Sequence, residues 1–254
     1  MSFHVVIPAR FASTRLPGKA LLDIHGKPMI QWVVEAAAQS GAVDIVVATD
    51  DQRIADAVRD PRGKRTSLAV MTRGDHASGT DRVAEVAVLK KWSADTIVVN
   101  VQGDEPKILP AVIDQVAKLL HDDARADLAT LCTPITSLNE FLDPNVVKVT
   151  KADDGGAMYF SRAPIPWNRD SASTLISQRE FPAAQRHLGI YAYRVEALLR
   201  LAQSSPSSLE QIEKLEQLRS LQAGMRIAVA VAVAVPGPGI DTAADLERAR
   251  SEMR

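Results

Sequence analysis

Three cations stand close together near the start of the chain, Arg10, Arg15 and Lys19, in a segment that also holds Gly18. They follow a short apolar run, His4 to Ile7, which reads as a strand and breaks at Pro8. A loop at the carboxyl end of a strand, carrying cations, free backbone N–H groups and a flexible glycine, suits a triphosphate. Arg offers a planar fork to phosphate oxygens, and Lys a mobile point charge. The order R-x4-R-x3-K matches neither the P-loop pattern nor the G-x-G-x-x-G fingerprint, which argues against a P-loop NTPase and a dinucleotide dehydrogenase. Taken alone, the loop is equally readable as a solvated basic surface.

A second chemical segment is Gln102-Gly103-Asp104-Glu105-Pro106, directly after an apolar strand pattern at Thr96 to Asn100. Ligands of open α/β sheets sit outside the carboxyl ends of the strands, so this turn and the first loop share one crevice. Asp104 supplies a hard oxygen for Mg2+, an ion that takes one or two carboxylates plus substrate phosphates. Asp241, in Gly239-Ile-Asp-Thr242, is a second such carboxylate. Singly, each has a plain structural reading: Asp104 as a turn residue, Asp241 as a helix cap.

A third segment runs from Arg73 to Arg82, where Ser78, Gly79 and a helix N-terminus can present N–H donors to an anion. Arg82 falls in the first turn, where a cation opposes the dipole, so an anionic partner is expected; Glu85 at i+3 is the local alternative. In the second half, Arg162, His187 and Tyr191, with Glu210 and Glu216, can line a polar pocket. Glu213, Lys214 and Arg219 read as a solvated helix face. No Ser-His-Asp or Cys nucleophile is evident.

The elements that must position these groups alternate. Strand patterns at Val5 to Ile7, Asp44 to Ala48, Leu68 to Met71 and Thr96 to Asn100 are separated by helix patterns at Pro28 to Gln39, Gln52 to Val58, from Ser78 or Thr80 to Lys91, and at Pro110 to Leu120. Thr80-x-x-Val83 lacks the acidic residue of a capping box. Continuous apolar strands in this rhythm imply a parallel sheet covered on both faces. After about Asp127 the rhythm changes, with strands at Ala129 to Thr133, Val146 to Thr150 and His187 to Tyr193, and a long polar loop from Ile165 to Arg186. Leu209 to Leu221 reads as one amphipathic helix, Ile227 to Val235 as the last strand, and a terminal helix follows Thr242.

The 254 residues carry 30 Lys and Arg against 31 Asp and Glu, a net charge of -1 that argues against a general nucleic-acid or anionic-membrane binder. Aromatic residues make up 4%, which leaves few platforms for stacking bases. Cys132 is the only cysteine, so an intrachain disulfide and a cysteine-based metal site are excluded. Pro8, Arg10 and Arg15 interrupt any signal-peptide core, and no stretch is long enough to span a bilayer, so a cytoplasmic protein is expected.

Taken together, Ile7 to Lys19, Val47-Ala-Thr-Asp50, Met71 to Arg82, Val99 to Pro106, Tyr159-Phe-Ser-Arg162, Ile165-Pro-Trp167, Arg186 to Tyr191, Leu215 to Arg219 and Gly239 to Thr242 resemble the 3-deoxy-manno-octulosonate cytidylyltransferases, also called CMP-Kdo synthetases. The resemblance covers nearly the whole chain in unbroken order. It implies a nucleotide-diphosphosugar transferase fold: one Rossmann-like α/β domain over 1–254, with a mixed, mostly parallel sheet flanked by helices. Within it, about 1–125 would bind nucleotide, about 126–225 would form a smaller sugar-binding and dimerisation region, and 226–254 would return a strand and a helix. It implies transfer of CMP from CTP to the acid sugar Kdo, releasing pyrophosphate, for lipopolysaccharide synthesis. By position, Arg10, Arg15 and Lys19 would hold the triphosphate, and Arg73, Ser78, Gly79 and Arg82 cytidine and phosphate. Gln102, Arg162, His187, Tyr191, Glu210 and Glu216 would frame the sugar, Gln102 also bordering the nucleotide. Asp104 and Asp241 would hold Mg2+, and carbonyls near Ala9 and Ser78 would receive cytosine's amine. Lys19, Arg15, Asp104 and Asp241 are thus the expected catalytic groups, and a homodimer the expected assembly. A cytidylyltransferase for 8-amino-Kdo or a sialic acid, and a non-catalytic nucleotide-sugar-binding protein, are the alternatives; the intact set Lys19, Asp104 and Asp241 argues against the last.

Overall fold

The computed structural model describes residues 1–12, 16–64, 68–169, 181 and 183–253, so Arg15 and the segment 170–180 lie outside the described residues. In chain order the elements are β1 (Phe3–Pro8), a 3-10 turn at Lys19–Leu21, β2 (Asp23–Ile24), β3 (Lys27–Pro28), α1 (Met29–Ala38), β4 (Asp44–Thr49), α2 (Gln52–Ala57), β5 (Ala69–Met71), α3 (Gly79–Leu89), β6 (Ile97–Asn100) and α4 (Pro110–Asp122). Then come β7 (Leu128–Pro134), α5 (Leu138–Leu142), β8 (Lys148–Lys151), β9 (Ala157–Ser161), β10 (Gln185–Arg194), α6 (Val195–Gln203), α7 (Ser208–Glu213), α8 (Gln217–Gln222), β11 (Ile227–Val231) and α9 (Ala243–Glu252).

One sheet carries the site, in the order β11-β7-β10-β6-β1-β4-β5, with β8 and β9 attached through β10. It is parallel from β5 through β6, with Val5 opposite both Ile45 and Val99. Around β10 it turns antiparallel, and β11 pairs parallel with β7. The alternation of β1 explains the two layers: Val5 and Ile7 point to the side of α1 and α4, and Val6 to the side of α3 and α6. Both faces are covered, so the run Ile45 to Thr49 is buried throughout. The terminal helix α9 packs Leu246, Ala249 and Met253 against Ile24 and Met29. Among the described residues, no helix is long and apolar enough to cross a membrane.

The structure decides one local alternative and changes two expectations. The α3 N-cap is Ser78 rather than Thr80, and Asp81 closes a capping box with it. The expected helix from Leu209 to Leu221 is two helices, because Lys214 adopts a left-handed φ of 54° and ends α7. The last strand stops at Val231 and not Val235: its pairing with β7 ends with Val231 opposite Cys132, while β7 itself runs on to Pro134 beside β10. Gln115 takes over the backbone beyond, accepting from Val233 N at 2.8 Å and donating to Val231 O at 2.8 Å.

The turn after β6 lies against the end of β1. A Cβ on Gly103 would stand 2.9 Å from the Pro8 carbonyl oxygen, a backbone atom that cannot swing away. Gly103→Ala is therefore expected to cost about 1–3 kcal/mol of stability by overpacking, read as a lower denaturation midpoint; an unchanged midpoint would refute the close approach.

Candidate active site

The carboxyl ends of β1 and β6 and the segment that enters α3 open onto one cavity of about 280 Å3. Ala9, Arg10, Lys19, Ser78, Gly79, Arg82, Gln102, Asp104 and Asp241 all line it, nine of the groups singled out in the sequence. The first loop doubles back through Gly18 N–H to the Phe11 carbonyl at 3.2 Å, and Gly18 takes a left-handed φ of 67°. Arg53 lies over the Phe11 ring, 3.4 Å from its centroid, and steadies the loop from α2.

Lys19 reaches the centre of the site. Its Nζ donates to Asp104 Oδ2 at 2.5 Å and to Asp241 Oδ1 at 3.0 Å. Burial disfavours the charge on Lys19, but the two carboxylates outweigh it and raise its pKa. Asp241 is delivered by backbone: Ile240 N–H donates to the Asp104 carbonyl at 2.9 Å, and Thr242 starts α9 with a capping box to Asp245. Both plain structural readings of the acids thus yield to a shared one. Among the described residues, no group of three or more His, Cys, Asp or Glu is placed to hold a metal. Two carboxylates facing one point beside a cationic cavity are the donor set that Mg2+ takes when phosphates complete its shell.

Arg82 is 4% exposed and has the anionic partner its place in the helix demanded. That partner is not Glu85. Nη2 of Arg82 donates to Asp50 Oδ2 at 3.1 Å and Nη1 to Thr72 Oγ1 at 2.5 Å, tying α3 to the ends of β4 and β5. Glu85 instead meets His76 Nε2 at 2.5 Å and accepts from Arg73 N–H at 2.9 Å. His76 lines the cavity and was missed as a site residue; its place in the Met71 to Arg82 segment was the available signal.

Other expected groups are engaged by the protein itself. Arg73 is an exposed side chain paired with Asp75 at 2.9 Å, and it lines a neighbouring groove rather than the central cavity. Ser78 N–H donates to Asp81 in the capping box, and its hydroxyl accepts from Asp81 N–H there while also hydrogen-bonding Glu216. Glu210 caps α7 through Ser207 and accepts from Arg219 Nη2 at 3.0 Å, a structural engagement on the outer groove. Arg162 is held by the Glu213 and Pro144 carbonyls at 2.7 and 2.8 Å, away from the cavity. The supposed solvated face is also corrected: Arg219 is buried, and Glu213 accepts from Ser161 Oγ at 2.6 Å.

Gln102, Tyr191 and Glu216 do converge, on an inner cavity of about 260 Å3 that shares Gly79 and Gln102 with the first. Burial raises the pKa of Glu216 despite hydrogen bonds from Thr80 and Ser78. His187 opens elsewhere, onto a cavity with Glu105, Arg186 and Gly189. Its ring meets Thr130 Oγ1 at 3.0 Å, and burial lowers its pKa to about 3, so it is neutral at pH 7.

A cytidylyltransferase family model matches residues 4–227. The chain belongs to the cytidylyltransferase family. It is 52% identical over 254 residues to the 3-deoxy-manno-octulosonate cytidylyltransferase of Thioalkalivibrio sulfidiphilus, covering 100% of both chains. It is 54% identical over 251 residues to the enzyme of that name from Aeromonas hydrophila, covering 99% of this chain and 98% of the relative. A solved CMP:2-keto-3-deoxy-manno-octonic acid synthetase complexed with CTP superposes with a TM-score of 0.86 at 45% identity, covering 99% and 98% of the two chains. The expected family and fold class are therefore borne out, and the parallel half of the cytidylyltransferase sheet is the part that builds the central cavity.

Glu105, beside Asp104, offers a pH test of this geometry. Burial, with the neighbouring Asp104 charge, raises its pKa to about 8. A carboxyl whose folded pKa exceeds its unfolded value lets stability fall as pH rises between the two, here from about 4.5 to about 8. Glu105→Gln is expected to raise Tm at pH 8 and leave it unchanged at pH 4; equal shifts at both pH values would contradict a carboxyl whose ionisation the fold disfavours.

Proposed function

We propose that this cytidylyltransferase transfers CMP from CTP to 3-deoxy-D-manno-octulosonate, giving CMP-Kdo and pyrophosphate, and thereby serves lipopolysaccharide synthesis in the cytoplasm as a homodimer. The observation that carries the reading is the meeting of Asp104 and Asp241 at Lys19, on the edge of a cavity walled by Arg10 and Arg82. It is supported by the full-length likeness to enzymes of that name and to a synthetase solved with CTP.

The reaction joins a weakly nucleophilic hemiketal hydroxyl to the α-phosphorus of CTP as pyrophosphate leaves in line. Such a step needs positioning and neutralisation of charge more than a covalent intermediate. Arg10, Arg15 and Lys19 hold the triphosphate, with Lys19 also neutralising charge on the departing pyrophosphate. Arg82, fixed by Asp50 and Thr72, and the positive end of α3 at Gly79 face the nucleotide. Carbonyls near Ala9 receive the exocyclic amine of cytosine. Gln102, Tyr191 and Glu216 hold the acid sugar in the inner cavity, and Gln102, shared by both cavities, sets it against the nucleotide. Asp104 and Asp241 would hold Mg2+, whose charge when bound lowers the pKa of an attacking hydroxyl and screens phosphate oxygens.

Pyrophosphate release by purified protein with Mg2+ is expected for CTP with Kdo, and not for UTP, ATP or GTP. Turnover with 8-amino-Kdo or a sialic acid in place of Kdo would move the sugar assignment, and no turnover with any pair would favour a binding protein. Asp104→Asn should lower kcat by roughly a hundredfold or more with unfolding unaffected. Lys19→Ala should lower kcat/KM for CTP by a similar factor. Near-native turnover in either variant would remove that residue from the machinery.

A further inference from the structure

The inner cavity holds two polar groups that nothing above assigns. Asn100 is 2% exposed and Ser220 is fully buried, and both line the cavity. Asn100 Oδ1 and Ser220 Oγ have no hydrogen-bond partner among the described residues. A buried acceptor or hydroxyl left unmet is costly, and its survival in a core calls for a donor that arrives from outside.

The placement follows from two periodicities. Asn100 and Gln102 are two residues apart along β6 and its extension, so their side chains fall on one face. Glu216 and Ser220 are four apart across the start of α8, so they too share a face. The two elements therefore present matched pairs to the cavity. Gln102 and Glu216 form an outer row, since each also lines an adjoining cavity. Asn100 and Ser220 line the inner cavity alone among those described here. Along the strand, Asn100 stands roughly 7 Å further from the Asp104 turn than Gln102 does. Tyr191, directly opposite Asn100 in the ladder, closes the third side.

We propose that Asn100 and Ser220 are specificity-determining residues, forming the floor of the cavity and hydrogen-bonding hydroxyls at the end of the acid sugar remote from its reacting hydroxyl. The inference rests on the reading that the acid sugar occupies this cavity. A polyhydroxylated chain supplies O–H donors to the Asn100 acceptor and either partner to the Ser220 hydroxyl. A site built around such bonds rejects a substrate that lacks the hydroxyl more strongly than an apolar floor would. A cavity of this volume also has room for water, which would satisfy both groups without conferring specificity.

The test is a comparison of KM values for Kdo and CTP in Asn100→Leu and Ser220→Ala. The expected result is a rise of about tenfold in KM for Kdo in each, with KM for CTP unchanged and Tm holding or rising, because a buried unmet polar group has been removed. A merely structural role would lower Tm and disturb both substrates alike, and water alone would leave KM for Kdo at the native value; either result overturns the inference. Gln102→Ala and Glu216→Gln serve as the reference. If they raise KM for Kdo while Asn100→Leu and Ser220→Ala do not, only the floor assignment fails. If none of the four moves KM for Kdo, the sugar is not in this cavity. Should Asn100→Leu not fold, Ser220→Ala decides.

Discussion

The contact on which the site depends is Lys19 between two carboxylates, one 85 residues and the other 222 residues away in the chain. Lys19 belongs to the loop after β1, Asp104 to the turn after β6, and Asp241 to the segment entering α9. Their meeting demands that β1 and β6 be adjacent and parallel, that Gly103 let the turn touch Pro8, and that Ile240 bond the Asp104 carbonyl. A partly buried ammonium with only one of these acids would keep its desolvation cost and lose much of the compensating attraction. The clamp therefore couples the first and last parts of the chain to one point at the sheet's edge.

Elsewhere the fold uses cations in a different way, as caps for carbonyl groups. Lys148 is wholly buried, and its Nζ donates to the carbonyls of Asp143, Val146 and Arg162 at 2.9, 2.5 and 2.7 Å. Burial lowers its pKa, while its three acceptors satisfy the donors that burial would otherwise strand. Arg62 closes the end of α1 through the carbonyls of Ala38, Ser40 and Ala42. Arg194 does the same for the end of α4 and the turn that follows, bonding Leu120, Asp123 and Ala126. These residues would read as surface charge in the sequence, yet they are satisfied inside the protein. Some of the chain's cations thus serve as backbone caps, a use that net charge does not reveal.

The parallel half was legible in detail because its signals are local. Continuous apolar runs such as Ile45 to Ala48 need no partner to be read as strands covered on two faces, and the chemical groups lie at their ends by a general property of parallel sheets. The second half was less legible. The hydrophobic spacing of Leu209 to Leu221 is right for a helix, but it does not record the left-handed turn at Lys214. The valines of 231 to 235 alternate as a strand does, but pairing with β7 ends at Val231. Among the polar residues, the sequence does not record that Arg162, His187 and Glu210 are hydrogen-bonded to Glu213, Thr130 and Arg219.

The sequence by itself determined which segments form the parallel strands, where that half of the sheet opens, and that Arg10, Lys19, Gln102, Asp104 and Asp241 lie at strand ends, since periodicity and turn chemistry act over a few residues. Only the tertiary structure decided which polar group meets which: Arg82 with Asp50 rather than Glu85, Lys19 with two distant acids, Asn100 Oδ1 and Ser220 Oγ with no partner among the described residues. The reason is physical. Backbone propensity is a short-range property of neighbours in sequence, whereas the pairing and desolvation of polar groups depend on neighbours in space, which strand order and helix packing alone establish.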